Sequence, residues 1–491
     1  MRIALRILLA LLLSLLVLAA VVAYRTVTYV PPLAAAAPSP VELAPPVAID
    51  IDRAAQHLAE AIRFRTISHQ DPADNDATQW DGLHTWLQAT YPAVHAAMTR
   101  EVVAGHTLVY TWPGTDPALP AIVLMAHHDV VPVTPGTEQD WKHPPFDGVV
   151  AGDAIWGRGA IDDKGSLIGL FEGLEALAAG GFVPARTVIV VSGHDEEAGG
   201  QGAAAAAQLL QQRGVRAQFV LDEGLAVISD FPLLGRPVAL IGVAEKGYAT
   251  LRVTAPAAGG HSSTPPPQTG VEVLARAVLA ITDKPFPLQF QGPAAGMIRA
   301  LAPEASLPVR VAVANEWLLR PLLIRQIAAT PAGAATLHTT IAPTMLRGSP
   351  KENVLPQDAA AWINYRIAPG TTVDDVMQRA QQATQGLDVR LAWEGTAYDP
   401  SPVSASDSEA FRVLAALASE DGRTPVAPGL VNATTDSRHM VQIADDVYRF
   451  QPIVESIEGL GMIHGTNERM TLDNLRRTAG FYARLVATAA G

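Results

Sequence analysis

Histidines and carboxylates recur in this sequence beside glycines or behind short apolar runs. The segments are Ala126-His127-His128-Asp129, Gly157-Arg158-Gly159-Ala160-Ile161-Asp162-Asp163, His194-Asp195-Glu196-Glu197, Leu221-Asp222-Glu223-Gly224 and Ile463-His464-Gly465. Cysteine is absent. Oxygen and imidazole donors without thiolates suit a hydrolytic pair of divalent ions, zinc first among them, better than a structural zinc site. Such a pair needs cations about 3.5–4 Å apart around a shared carboxylate, with room left for water and substrate. Asp162, behind the glycine-rich turn Gly157–Gly159, suits the bridge. His127 suits one terminal position, and Asp129 can bond its other ring nitrogen and orient the imidazole. Glu196 and Glu197 are adjacent acids that repel unless cations screen them. Glu197 is therefore assigned to the second ion, and Glu196 to proton transfer. Asp222 completes the first ion's ligands and His464 the second's, with Glu223 replacing Asp222 if the strand ends one residue later. His128, His143, His194 and His439 read as ordinary surface or core histidines.

These groups need a scaffold that brings distant segments together. Helical spacing at Ala54, Leu58, Ala61 and Ile62, and again at Trp80, Leu83, Trp86 and Leu87, predicts two early helices. Apolar runs at 107–110, 121–125, 187–191 and 219–221, with a helical stretch at 166–179 among them, predict an α/β fold with a partly parallel sheet. In such sheets, functional groups collect beyond the carboxyl ends of strands. After Lys246 the pattern changes to strand 248–254, helix 270–281, strands 337–343 and 359–367, helix 373–385 and strand 389–393. That order describes a ferredoxin-like α+β unit. An apolar insertion at 295–327 interrupts it and reads as additional core or a subunit contact. A helix at 408–419, the stretch 446–452 and a closing helix at 472–489 return to the first unit. The expected domains are thus 47–246 with 397–491 for catalysis, and 247–396 for the inserted unit.

At 491 residues and 49% hydrophobic, the chain has enough apolar material for two cores. A net charge of −13 argues against a nucleic-acid partner. Arg2 and Arg6 precede an uncharged run from Ile7 to Ala23, which Tyr24 and Arg25 close. Residues 1–30 are read as a membrane anchor in preference to a cleaved signal, for which Ala34–Ala37 would offer a cut site. The arginine asymmetry puts the amino terminus in the cytoplasm and the catalytic part outside. Residues 31–46, rich in Pro and Ala, are expected to form an extended stalk.

In order along the chain, His127-x-Asp129-Val-Val-Pro, Gly-Arg-Gly-Ala-x-Asp162-Asp163-Lys-Gly, Asp195-Glu196-Glu197 and Gly260-His261-Ser262-Ser263 resemble the M20 metallopeptidases. Within that family the similarity is to the carboxypeptidase S and N-acyl amino acid hydrolase branch, from about Arg63 through Gly465. The resemblance implies two zinc ions, with cobalt or manganese as substitutes. One would be held by His127, Asp162 and Asp222, the other by Asp162, Glu197 and His464. It implies that Asp129 and Glu196 are the catalytic acids, and that the peptide between Asp162 and Asp163 is cis. It also makes the inserted unit a lid, on which His261 steadies the oxyanion and Arg366 grips the substrate carboxylate. Asn353 and Asp436–Arg438 are further substrate-side candidates. Two copies paired through the lid are the family's usual assembly, and this insertion is longer than its simplest lids.

The expected function is hydrolysis of a peptide or N-acyl bond next to a carboxy-terminal amino acid. The alternatives are a dipeptidase or deacylase of other specificity, since these motifs fix chemistry and not the side-chain pocket, or a non-catalytic metal-dependent receptor on the same fold.

Overall fold

The computed structural model describes residues 2–32, 41–420 and 422–491. The Ala34–Ala37 cluster lies outside these. An eight-stranded mixed sheet forms the body, in the spatial order Thr99–Val103, Thr107–Trp112, Val188–Ser192, Ala121–Met125, Ala217–Phe231, Ala444–Glu455, Arg236–Glu245 and Val426–Val431. The four strands from Val188–Ser192 to Ala444–Glu455 run parallel. Both faces of this sheet are covered, which explains why the central strands are apolar throughout instead of alternating. In Ala121–Met125, Ile122 and Leu124 enter one core with Phe171 and Tyr482, whereas Val123 and Met125 enter another with Ala203 and Ala206. Full burial of each such side chain stabilises the fold by about 1.5–3 kcal/mol.

The first core is closed by the helices Ile51–Arg63, Lys164–Ala179 and Leu472–Ala489. Ile51–Arg63 begins where the Asp50 side chain accepts the Arg53 N–H, and it buries Ala54, Leu58, Ala61 and Ile62 as their spacing predicts. Lys164–Ala179 packs on Leu472–Ala489 through small residues: a Cβ at Gly169 would stand 2.6 Å from Thr478 Cγ2.

One strand departs from expectation. The run at 219–221 does not end at Asp222 but extends as Ala217–Phe231. Its pairing with Ala444–Glu455 slips after Asp222, whose partner is Arg449, so that Phe450 faces Leu225. Gly224, at φ +142°, lies in that slip.

Residues Gly247–Trp393 build a second unit, a four-stranded antiparallel sheet ordered Thr340–Arg347, Asp358–Ile367, Gly247–Pro256, Arg390–Trp393. The helices Gly270–Thr282 and Val373–Ala383 pack into its core, giving the expected ferredoxin-like order. Each helix opens with a reciprocal capping box, Thr269 with Glu272 and Thr372 with Asp375. The chain enters and leaves this unit at one point, where Tyr248 and Tyr398 exchange two backbone hydrogen bonds of 3.1 and 2.9 Å. The insertion forms the helices Gly292–Leu301, Leu307–Ala314, Glu316–Ile327 and Pro331–Leu337 around a small core of their own. The first of them also packs on the sheet's last strand, joining Leu301 to Ala427 and Leu240.

The amino-terminal helix Arg2–Val27 has a mean hydropathy of 2.9 over its most apolar window, none of it buried. The expected stalk needs correction beyond the undescribed residues. Val41, Leu43, Val47 and Ile49 pack against the main core. Ala44 accepts from Arg484 Nε at 3.0 Å and donates to Thr488 Oγ1 at 3.0 Å, so this stretch lies along the last helix instead of standing free.

Candidate metal centre and active site

His127 and Asp129 follow the central strand Ala121–Met125, and both are buried. His127 Nδ1 lies 3.1 Å from the Asp129 carbonyl oxygen and 3.3 Å from Asp129 Oδ1, which leaves Nε2 facing Asp162 Oδ1 at 2.9 Å. The other oxygen, Asp162 Oδ2, lies 3.1 Å from His464 Nε2, and the same nitrogen is 3.1 Å from Glu197 Oε1. Asp162 thus turns one carboxylate oxygen toward each of two histidines on opposite sides. Two donor groups close enough to share an ion result: His127, Asp162 and Glu223, and Asp162, Glu197 and His464.

Asp222 joins neither group. Its Oδ1 accepts the Glu223 N–H at 2.9 Å and its Oδ2 the Ser437 N–H at 2.8 Å. Because the strand continues through this position with a slip, Glu223 and not Asp222 is presented to His127 and Asp162. The alternative left open in the sequence is the one the geometry supports.

The Asp162 loop is held from a residue whose role the motifs did not reveal. Glu468 is fully buried and accepts the N–H groups of Gly159, Ile161 and Asp162 at 3.1, 2.9 and 3.1 Å, while Oε2 pairs with Arg158 at 2.7 Å. Its signal is faint: an acid four residues after His464, in His-Gly-Thr-Asn-Glu. The Asp162–Asp163 peptide is cis. Asp163 turns away from the donor groups, and its Oδ1 accepts Gln451 Nε2 at 2.7 Å.

Asp129 does more than face His127. Its oxygens accept the backbone N–H groups of Glu196 and Glu197, each at 3.1 Å, and the hydroxyl of Ser68 at 2.6 Å. Asp195 is structural, since it accepts the N–H groups of Gln201 and Gly202 at the start of helix Gln201–Gln212. His194, His128 and His143 stay outside the donor groups: Thr107 bonds the first, Ser192 the second, and Trp156 packs edge-on against the third.

The electrostatics test whether cations belong here. Burial pushes the carboxyl of Glu196 well above its usual range, with Asp436, Glu223 and Glu197 adding repulsion. Burial does the same to Glu223, reinforced by Asp162, Asp163 and Asp222. Burial also opposes ionisation of Asp162, but hydrogen bonds from His127 and His464 hold its carboxyl below the ordinary value. Bonds to Asp162 and Glu197 raise His464 to about 10. Buried Asp436 has no hydrogen-bond partner for either oxygen among the described residues. So many acids around two imidazoles form an anionic pocket that two divalent cations would neutralise, and every donor is oxygen or nitrogen. The residues fit such a metal pair.

The two expected lid residues do not meet this cluster in hydrogen-bond contact. His261 is exposed on the short strand Gly260–His261, and its Nδ1 accepts the Ser263 N–H at 3.1 Å. Arg366 is half-buried, with its guanidinium 4.9 Å from the centre of the Tyr248 ring.

A mixed sheet with acids and histidines gathered at its strand ends, and a ferredoxin-like unit inserted between two halves, is the architecture of a metallopeptidase-type hydrolase. The chain belongs to peptidase family M20/M25/M40, whose family model matches residues 123–488. It is 33% identical to a probable carboxypeptidase S-like 2 of Dictyostelium discoideum, over 88% of this chain and 84% of that one. It is 34% identical to the N-fatty-acyl-amino acid synthase/hydrolase PM20D1 of Homo sapiens, over 88% and 87%. Carboxypeptidase S of Saccharomyces cerevisiae is 30% identical over 84% and 80%. Among solved structures, the M20 metallo-carboxypeptidase Sso-CP2 of Sulfolobus solfataricus shares the fold, with a TM-score of 0.64 at 18% identity over 89% of this chain and all of that one. The chain is therefore an enzyme of the M20 hydrolase type, and the family implies a divalent metal.

Proposed function

We propose that the chain is a di-zinc amidohydrolase, anchored in a membrane with its catalytic part outside the cytoplasm, that cleaves a peptide or N-acyl amide bond next to a carboxy-terminal amino acid. The observation that carries this reading is Asp162, whose two oxygens face His127 and His464 separately. His127, Asp162 and Glu223 would hold one ion, and Asp162, Glu197 and His464 the other. When bound, the two ions would polarise the scissile carbonyl and lower the pKa of a nucleophilic water.

The remaining steps belong to the chain. Glu196, whose carboxyl burial raises, takes a proton from the attacking water and returns it to the leaving amine. Asp129 keeps the Glu196 backbone and the His127 ring in register. His261 donates to the developing oxyanion, and Arg366 pairs with the free carboxylate of the substrate, once the inserted unit meets the body around it. The names of the relatives, carboxypeptidase S and N-fatty-acyl-amino acid synthase/hydrolase, support a substrate that ends in an amino acid. Anchoring is supported by the apolar helix Arg2–Val27 and its flanking arginines, and mass spectrometry of the mature amino terminus checks that the helix is retained.

The test of the function is a hydrolysis profile of the purified full chain against N-acyl amino acids, Gly-Xaa dipeptides and N-succinyl compounds, with and without a chelator. Chelator-sensitive release of a free amino acid is expected. Stoichiometric zinc without turnover of any of these would overturn the reading in favour of a receptor.

A further inference from the structure

The insertion helix Glu316–Ile327 carries large apolar side chains on its outer surface. Trp317, Leu318 and Leu322 are 57%, 42% and 55% exposed, and exposed Pro321 lies between them on the same face. Single exposed apolar residues are ordinary, but a contiguous stripe on one helix face is not. Arg320 borders it and pairs with Glu316, and exposed Arg325 closes it one turn beyond Pro321 and Leu322 on the same face.

This stripe begins two residues after Asn315, which holds the amino-terminal helix. Asn315 is fully buried, and its Nδ2 donates to the Val22 carbonyl at 3.2 Å and to Thr26 Oγ1 at 3.1 Å. Arg25 Nε donates to the Ala314 carbonyl at 3.1 Å, and the Tyr29 hydroxyl to the Arg299 carbonyl at 2.9 Å. All four contacts fall in the last turns of the helix or just past its end, and the side chains from Arg2 to Val17 are exposed. A bilayer core about 30 Å thick takes up about 20 helical residues. The uncharged run from Ile7 to Ala23, at the short end of the spanning range, ends beside Val22, where Asn315 makes contact. The stripe therefore starts at the depth where an anchored helix leaves hydrocarbon for headgroups, the zone that tryptophan and arginine favour.

We infer that the outer face of helix Glu316–Ile327, through Trp317, Leu318 and Leu322, seats in the headgroup interface of the same bilayer that holds the amino-terminal helix. The inference rests on the anchor reading above. The body then lies against the membrane in one orientation instead of hanging from a tether.

Because the chain has no cysteine, single labels test this directly. Leu322→Cys, Trp317→Cys, Leu12→Cys and Val183→Cys are each made in the full chain, coupled to an environment-sensitive fluorophore, and reconstituted into phosphatidylcholine vesicles with or without doxyl-labelled lipid. Position 12 reports the anchor, and exposed Val183 on the catalytic unit gives the background. The expected result is blue-shifted emission and doxyl quenching at 12, 317 and 322 beyond that at 183. Quenching at 12 with background values at 317 and 322 overturns the inference and leaves the anchor standing. Blue-shifted but unquenched labels at 317 and 322 also overturn it, because protein and not lipid then covers the face. Background values at 12, 317 and 322 alike remove the anchor and this inference together.

Discussion

Asp129 Oδ1 accepts the backbone N–H of Glu196 at 3.1 Å, so the acid that faces His127 also fixes where the neighbouring glutamate begins its turn. Asp129→Asn swaps one acceptor for an amide that cannot receive an N–H. The expected loss is about 10- to 100-fold in activity or metal affinity, as for other partners that orient ligands. Steady-state kinetics beside metal analysis checks it, and Ser68→Ala, which removes the 2.6 Å hydroxyl bond and leaves both backbone N–H bonds to Asp129, should cost less.

Glu196→Gln keeps the shape of the side chain and removes its capacity to carry a proton. Turnover should fall by roughly 10²- to 10⁴-fold with unchanged metal stoichiometry. Wild-type kcat in this variant would exclude Glu196 as the proton carrier.

Glu223 and Asp222 are separable. Glu223→Ala should lose one of two bound ions, measured by elemental analysis of the dialysed protein. Asp222→Asn should retain both and instead lose about 1–3 kcal/mol of stability, because a buried acceptor of the Ser437 N–H is compromised. The opposite pattern would restore Asp222 as the ligand.

Glu468→Ala leaves the Arg158 guanidinium buried without its carboxylate, a change that costs about 3–5 kcal/mol in comparable settings. A shifted denaturation midpoint measures it. Glu468→Gln should lose less stability, since the amide oxygen still accepts from the Asp162 loop.

Removing metal should also reveal the charge of the pocket. Burial raises the carboxyls of Glu196 and Glu223 above their ordinary 4.5, so the folded apoprotein binds protons that the unfolded chain releases. Its stability should therefore fall as pH rises above about 4.5. Zinc restored at a hundredfold excess over its dissociation constant should return about 2.7 kcal/mol near neutrality. Thermal unfolding across pH, with and without chelator, compares the two forms.

The sequence carried much of this arrangement on its surface. Helical spacing at Ala54, Leu58 and Ala61 marked a buried face, and the order of elements after Lys246 described the inserted sheet, because local patterning and packing agree there. His127, Asp162, Glu197 and His464 were legible because each sits in a distinctive local pattern. Glu223 was harder, since Asp-Glu-Gly at the close of an apolar run reads as a strand end, and only pairing with Ala444–Glu455 and Arg236–Glu245 shows that the strand continues. Glu468 was beyond reach for another reason. Apart from Arg158, its partners are backbone N–H groups, which carry no side-chain identity, and Asp162 lies 306 residues earlier.

The inserted unit meets the body through the Tyr248–Tyr398 crossing, through helix Gly292–Leu301 on strand Val426–Val431, and through the Arg236–Glu304 ion pair at 2.6 Å. Removing the insertion would therefore uncover Leu240 and Ala427, so the body's sheet edge owes part of its burial to a segment outside its own unit.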